Sequence, residues 1–265
     1  MKILYIGDIY SKPGIETVDK VLPDLKKEKH IDLVIAQAEN VSDGRSMTAS
    51  DMSRLRAIGV DCFTGGNWTL FRDDIVPYLN DSDTPVLRPA NYPTGTPGKR
   101  WKYVTSPAGQ VLVVSLLGSI VGRDADKPMD NPLKVIDEIL DENKSVERAA
   151  TIVNFHGDYS SEKVIIGYYL DGRVTAVIGD HWHTPTADAM VLPKGTAHIT
   201  DVGMCGTLHS SLGVSFDSVI PRWRDGRQTK NVVATDGPTQ FNAVLIETDT
   251  TGLAKAIQPI RKILP

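Results

Sequence analysis

Thiols are scarce in this sequence. Its 265 residues include two cysteines, Cys62 and Cys205, too few for a disulfide framework or a cysteine-rich zinc site. Long apolar runs are missing too. The longest, VLVVSLLGSIVG at 111–122, is too short to cross a bilayer, so no membrane partner is expected. The opening run MKILYIGDIY reaches Asp8 without a small-residue cleavage pattern and reads as a first strand, not a signal peptide. A cytoplasmic location is the expectation. Positive charge is not in excess. The formal net charge of −4 and isoelectric point of about 5.9 argue against a surface devoted to nucleic acid, while leaving room for a local basic patch. The glycine-rich phosphate fingerprints of Rossmann and P-loop proteins are absent, as is a G-x-S-x-G elbow. No repeat, low-complexity tract or linker interrupts the chain, so residues 1–265 are expected to form one domain.

What remains is ordinary globular composition, 41% hydrophobic and 23% charged. Strand-like runs alternate with helix-like segments. KILYIG (2–7) precedes a helix expected over 15–28, IDLVIAQ (31–37) one over 49–58, and VDCFTGG (60–66) one over 70–79. VLVVSLLG (111–118) precedes a helix around 131–142; ATIVNF (150–155) precedes SSEKVIIGYYLDG, where Ser160 offers a cap; then comes VTAVIG (174–179). Such alternation predicts an α/β fold with a substantial sheet. The last third carries TAHITDVGM, NVVAT and FNAVLIETD without long helical patterns between them, and reads as added antiparallel strands with a hairpin turn at TDTTG (248–252).

The ends of the α/β strands carry chemistry. Asp8 follows the first strand, Glu39 and Asn40 the second, Asn67 the third, His156 follows ATIVNF, and His181 and His183 follow VTAVIG in GDHWHT. Each alone has an ordinary structural use: a turn cap, a left-handed turn after two glycines, a core histidine. In α/β sheets, however, functional groups gather beyond the carboxyl ends of the strands. Carboxylate, amide and imidazole donors without thiolate suit manganese, iron or zinc. Seven donors exceed one tetrahedral site. They suit two metals about 4 Å apart, an arrangement that holds phosphate oxygens and an attacking hydroxide in phosphoester cleavage.

In order and spacing, GDIYSKPG, AEN, GGN, NFH and GDHWH resemble the blocks of calcineurin-like metallophosphoesterases. RPANYP (88–93), SSEK (160–163), YYLDGRVTAVIG (168–179), TPTAD (184–188) and TAHITDVGMCG (196–206) resemble its YmdB-like branch, so that the likeness spans nearly the whole chain. The resemblance implies a four-layer α/β/β/α sandwich and two divalent transition-metal ions. It also implies phosphodiesterase activity toward small nucleotides, 2′,3′-cyclic nucleotides included. Asp8, Glu39, Asn40 and His183 would hold one ion; Glu39 would bridge to the other, completed by Asn67, His156 and His181.

The sequence departs from its relatives in GGNWT, where Trp68 stands at the position of a family histidine beside the metals. Indole donates a hydrogen bond but cannot exchange a proton near neutral pH. Trp68 is a candidate to fill the substrate pocket or stack on a base. Tyr10 replaces a histidine common in the wider superfamily, Ser115 and Ser119 replace an expected asparagine and arginine, and His209 an aspartate. Asp180 can orient a ligand histidine. Cys205, without an activating base, reads as structural. Two basic segments, PGKRWK (97–102) and PRWRDGR (221–227), read as solvated loops, with phosphate contact the alternative. Two functions follow: a di-metal phosphodiesterase, or a metal-binding regulatory or scaffold relative with weak turnover. Sequence leaves a homo-oligomer open.

Overall fold

Side chains of an extended strand alternate between two faces, and both faces of the central strands here are apolar. A computed structural model describes residues 1–122 and 124–265. In chain order its elements are β1 (Lys2–Ile6), β2 (Asp8–Ile9), α1 (Ser11–Lys29), β3 (Leu33–Gln37), α2 (Ala49–Ile58), β4 (Cys62–Thr64) and α3 (Val76–Asn80). Then follow β5 (Trp101–Ser106), β6 (Gly109–Leu117), α4 (Pro132–Glu142), β7 (Ala150–His156), α5 (Ser160–Tyr169) and β8 (Ala176–Asp180). The chain ends with β9 (Met190–Val191), β10 (Ala197–Ile199), β11 (Met204–Thr207), α6 (Phe216–Asp225), β12 (Thr239–Thr248) and β13 (Ala254–Leu264).

Two sheets result. One runs β2–β11–β12–β1–β3–β4 with β13 on β12; the other runs β5–β6–β7–β8–β10–β9. On β1, Leu4 and Ile6 face a core shared with α1 and α2, while Ile3 and Tyr5 face a second core shared with Val111, Val113, Ile152 and Ile178 of the other sheet. On β6, Leu112 and Val114 turn away to a third core with Ile136 and Ile139 of α4 and Ile166 of α5. The layers are therefore α/β/β/α. A slip of one residue in β1 or β6 would exchange these faces, each buried large aliphatic being worth about 1.5–3 kcal/mol. No helix among the described residues is long and apolar enough to cross a membrane.

The parallel pairs β1–β3–β4 and β6–β7–β8 point their carboxyl ends at one region. Close approach at these ends is secured by small residues. A Cβ on Gly7 would lie 2.0 Å from the Gly203 carbonyl oxygen, and one on Gly179 would lie 1.9 Å from that of Thr200.

Several sequence expectations are corrected. Helix α1 begins at Ser11, not near 15, because Pro13 falls in the first turn, where it has no intrahelical N–H bond to lose. The helix expected over 70–79 is two 3₁₀ turns and the short α3. Arg72 leaves helical geometry and donates to the carbonyls of Arg45 and Ser42. Ser160 is the first helical residue of α5 and makes no cap bond. In PGKRWK, Trp101 and Lys102 open β5, and Lys102 is buried with its ammonium donating to the Asp81 and Thr84 carbonyls. Most of PRWRDGR is helical, in α6. In the last third, β10 pairs parallel with β8, and NVVAT forms no strand beyond an isolated bridge of Val233 to Val214. The 248–252 turn does join antiparallel β12 and β13.

Candidate metal centre

β7 and β8 pair in parallel with His156 opposite Asp180. Both side chains are fully buried. His156 Nδ1 lies 2.6 Å from Asp180 Oδ1. Asp180 also accepts from the Tyr5 hydroxyl (2.8 Å), Gln37 Nε2 (3.2 Å) and Asn154 Nδ2 (2.5 Å). This carboxylate fixes the imidazole with its proton on Nδ1, so that Nε2 presents a lone pair on the other side. Nε2 faces Glu39 Oε1 and Asn67 Oδ1, each at 3.0 Å. A lone pair facing two acceptor oxygens leaves a place for a proton or a cation. The Asn67 amide is turned by donating Nδ2 to Asp124 Oδ2 at 2.9 Å, and Glu39 Oε2 accepts the Trp68 backbone N–H at 2.8 Å. The His181 ring lies 4.4 Å from that of His156, centroid to centroid. Ligand atoms of Glu39, His156 and His181 all fall within 4.8 Å of one another. Gly66 keeps the place open, since a Cβ there would lie 2.3 Å from Glu39 Oε2 and 2.5 Å from the His156 ring.

Asp8, Asn40 and His183 form a second group. His183 Nε2 lies 3.3 Å from Asn40 Oδ1 and 3.7 Å from Asp8 Oδ1. Its Nδ1 meets the Leu212 carbonyl at 3.1 Å, which again turns Nε2 toward the oxygens. Asn40 donates Nδ2 to the Gly44 carbonyl, so its Oδ1 is the atom presented. Asp8 Oδ2 accepts the His181 backbone N–H, but Asp8 Oδ1 is buried without a hydrogen-bond partner among the described residues. Both His181 (φ 102°) and His183 (φ 61°) adopt left-handed backbone. Strain of this kind costs on the order of 1–3 kcal/mol and is concentrated at functional sites.

The electrostatics fit a cation. Burial pushes the Asp8 carboxyl well above its ordinary range, and Asp180 pushes it further. Burial opposes charge on His156, but Glu39 and Asp180 outweigh it and raise its pKa. Burial pushes His183 down to about 4, leaving the neutral imidazole that binds metal. Clustered buried carboxylates need neutralisation, which a divalent ion supplies in such a site. The orphaned Asp8 oxygen, the inward Nε2 atoms and the thiol-free donor set all suit one.

Glu39, Asn40, His181 and His183 line a cleft of about 510 Å³, with Tyr10, Arg45, Trp68, Phe71, Arg222 and Trp223 among its other walls. Trp68 packs edge-on to Phe71 at 5.4 Å, with the Arg45 guanidinium 4.6 Å from its ring centre. Tyr10 packs edge-on to His183 at 5.5 Å. The other departures lie apart from the ligands. Ser115 bonds the Gly65 carbonyl and Asn154, Ser119 bonds Glu162, and His209 is exposed. Cys205 is buried and its thiol is pushed up to about 12 by burial. Sequence reasoning missed Gln37, Asp124, Asp158 and Arg45. Asp158, two residues beyond NFH, lies 3.3 Å from His181 Nε2. Gln37 precedes AEN on an apolar strand, where its buried polarity was a readable signal; Asp124 and Arg45 carried none.

The sequence profile of YmdB-like proteins matches residues 4–260. The chain belongs to that family. Among its YmdB-like relatives is a 2′,3′-cyclic-nucleotide 2′-phosphodiesterase of Bacillus subtilis (strain 168), 37% identical over 250 residues, or 94% of this chain and 92% of the other. Two crystal structures are also similar. A hypothetical protein from Thermus thermophilus superposes with a TM-score of 0.90 at 35% identity over 100% of both chains. A novel phosphatase from Mycoplasma pneumoniae gives 0.91 at 30% identity, covering 100% of this chain and 94% of that one.

Proposed function

We propose that this YmdB-like protein is a metal-dependent phosphodiesterase acting on small nucleotides, 2′,3′-cyclic nucleotides included. The observation that carries the reading is the pair of adjoining groups, Glu39, Asn67, His156 and His181 beside Asp8, Asn40 and His183, with a buried Asp8 oxygen that has no hydrogen bond among the described residues. The named activity of the Bacillus subtilis relative agrees with it. Two divalent ions, iron, manganese or zinc, suit the donors. Asp8, Glu39, Asn40 and His183 would hold one; Glu39, Asn67, His156 and His181 the other. Bound there, the pair would draw charge from phosphate oxygens and acidify the attacking water.

The chain's own groups do the rest. Asp180 and the Leu212 carbonyl aim the two imidazoles, and the Trp68 N–H steadies Glu39. The Trp68 indole can bind a substrate oxygen or base but cannot surrender a proton. The histidines lining the cleft, His181 and His183, are both proposed ligands, so the leaving-group proton comes from water or from another residue. An enzyme without a positioned acid typically loses about 10²–10⁴-fold in rate. Trp68 thus also favours the second reading, a regulatory metal protein with weak turnover. As a whole we read the chain as one cytoplasmic domain; the core between β1 and β6 supports the single domain.

Elemental analysis coupled to assays on 2′,3′-cyclic nucleotides and other phosphoesters tests both readings. About two transition-metal ions per chain with metal-dependent turnover is the expected result. Bound metal without turnover on any substrate would favour the regulatory reading, and a chain that binds no metal would sink both. The double variant His181→Ala/His183→Ala should lose at least one ion; full occupancy would remove these histidines from the site.

A further inference from the structure

The cleft does not end at the proposed metal ligands. Beyond them, Arg45, Arg222 and Asn231 are shared with an adjoining groove whose other lining residues are Thr229 and Lys230. Among the described residues, no carboxylate lines that groove. Within the same set the Arg45 guanidinium makes no hydrogen bond or ion pair; its planar face rests on Trp68 and Phe71, and its donors remain free. Lys230 is exposed and unpaired among the described residues. Arg222 engages Thr229 and Asn231 through one of its terminal nitrogens, leaving the other uncommitted. On the cleft rim stands Trp223, 84% exposed on α6. An indole that open to water has little part in holding the fold, and its place is beside free cations rather than within the core.

Cations that track a backbone, interleaved with aromatic faces, are the combination that binds single-stranded nucleic acid. We propose that the cleft takes a short single strand rather than a lone nucleotide. The base of the reacting 3′-terminal nucleotide packs against the Arg45–Trp68 wall. The phosphate on its 5′ side lies among Arg45, Arg222 and Lys230, and the preceding base stacks on Trp223. This rests on the phosphodiesterase reading and names its substrate class: oligonucleotides ending in a 2′,3′-cyclic phosphate, whose ring-opened 3′-phosphate products serve as binding probes.

The test uses the full-length chain loaded with zinc and follows tryptophan fluorescence, with each ligand checked for integrity by chromatography after titration. Three ligands are titrated: adenosine 3′-monophosphate, adenosine 3′,5′-bisphosphate, and the diadenosine dinucleotide ending in a 3′-phosphate. The dinucleotide should bind at least about tenfold tighter than the mononucleotide, given the usual strength of base–aromatic stacking. Trp223→Ala should abolish most of that gain. Lys230→Ala should reduce the gain and make what remains of it less sensitive to salt, as loss of a phosphate contact does. Neither variant should change mononucleotide affinity by more than about twofold, because both side chains are exposed beyond the reacting nucleotide's place. Equal affinity for mononucleotide and dinucleotide would overturn the proposal. So would a bisphosphate that binds as tightly as the dinucleotide, which would mean that the second phosphate alone is read, and so would a gain that survives Trp223→Ala. Turnover of 2′,3′-cyclic AMP by the metal-loaded chain is measured alongside. Its presence with equal affinities overturns the strand site alone; its absence with the dinucleotide preference intact counts against the phosphodiesterase reading and for the strand site.

Discussion

At the scale of single residues, Trp68 offers a direct test. Trp68→His restores a group able to give and take a proton near pH 7. If the missing acid limits turnover, kcat should rise by about tenfold to a hundredfold while metal content stays nearly constant. A rise in KM for nucleotides but not for an alkyl phosphodiester would instead identify Trp68 as a base platform. No gain with intact metals would move the limitation to another group. His181 makes a separate prediction. Its φ of 102° strains any residue with a Cβ, so His181→Gly should be more stable than His181→Ala by about 1 kcal/mol, although both lose the same imidazole. Equal urea midpoints for the two would remove backbone strain from the account. The proposed ligands were legible because each stands at the end of an apolar run, where a polar side chain has no core to enter. Asp180 was legible for the same reason. Asp124 and Arg45 were not, since their relevance comes from contacts across 57 residues to Asn67 and across a loop to Trp68.

Elements were legible where local pattern and tertiary packing agree. β1, β3, β6, β7 and β8 are continuous apolar runs, and α4 has its Asn131 cap with Pro132 in the first turn. β5 escaped notice because Lys102, a charged residue in a basic segment, gives no sign that two backbone carbonyls will bury it. α6 was hidden by Pro221 within it and by the basic run around Trp223, although Phe216, Val219, Ile220 and Trp223 carry a helical spacing. The parallel pairing of β10 with β8 could not be read from strand pattern alone, since pairing direction follows from topology. The same pairing carries a prediction. Gly179 passes so close to the Thr200 carbonyl that a methyl group would have to separate the two strands. Gly179→Ala should cost about 2–3 kcal/mol in urea unfolding, at the upper end of overpacking effects. It should also lower metal content, because the next residue, Asp180, aims His156. Wild-type stability together with full metal binding would show that this contact relaxes freely.

The molecule as a whole brings the ends of two sheets together so that acidic and imidazole groups crowd a buried site, and that crowding has a measurable dependence on pH. In the metal-free protein, burial and then Asp180 hold the Asp8 carboxyl well above its ordinary range. For His156, burial works against the charge, but Glu39 and Asp180 overcome it, so its pKa is raised as well. A group whose pKa is higher in the folded state stabilises folding at pH below its unfolded value, and that contribution is lost as pH rises through the folded value. Asp8 and His156 therefore act with the same sign, and metal-free stability should fall as pH rises above 6.5, where the His156 contribution begins to be lost. His183, pushed down to about 4 from 6.5 by burial, has the opposite sign, but its contribution changes only between those two values and is constant in this window. Cations replace the protons on these groups, so the loaded protein should lose less stability over the same range. The difference in Tm between loaded and EDTA-treated protein should thus widen toward pH 9, and metal binding near pH 7 should release protons, read by calorimetry in buffers of different ionisation enthalpy. A gap that is flat or narrows with rising pH would mean that the ions bind away from Asp8 and His156, because only ions that displace protons from these two groups make the gap grow in that direction.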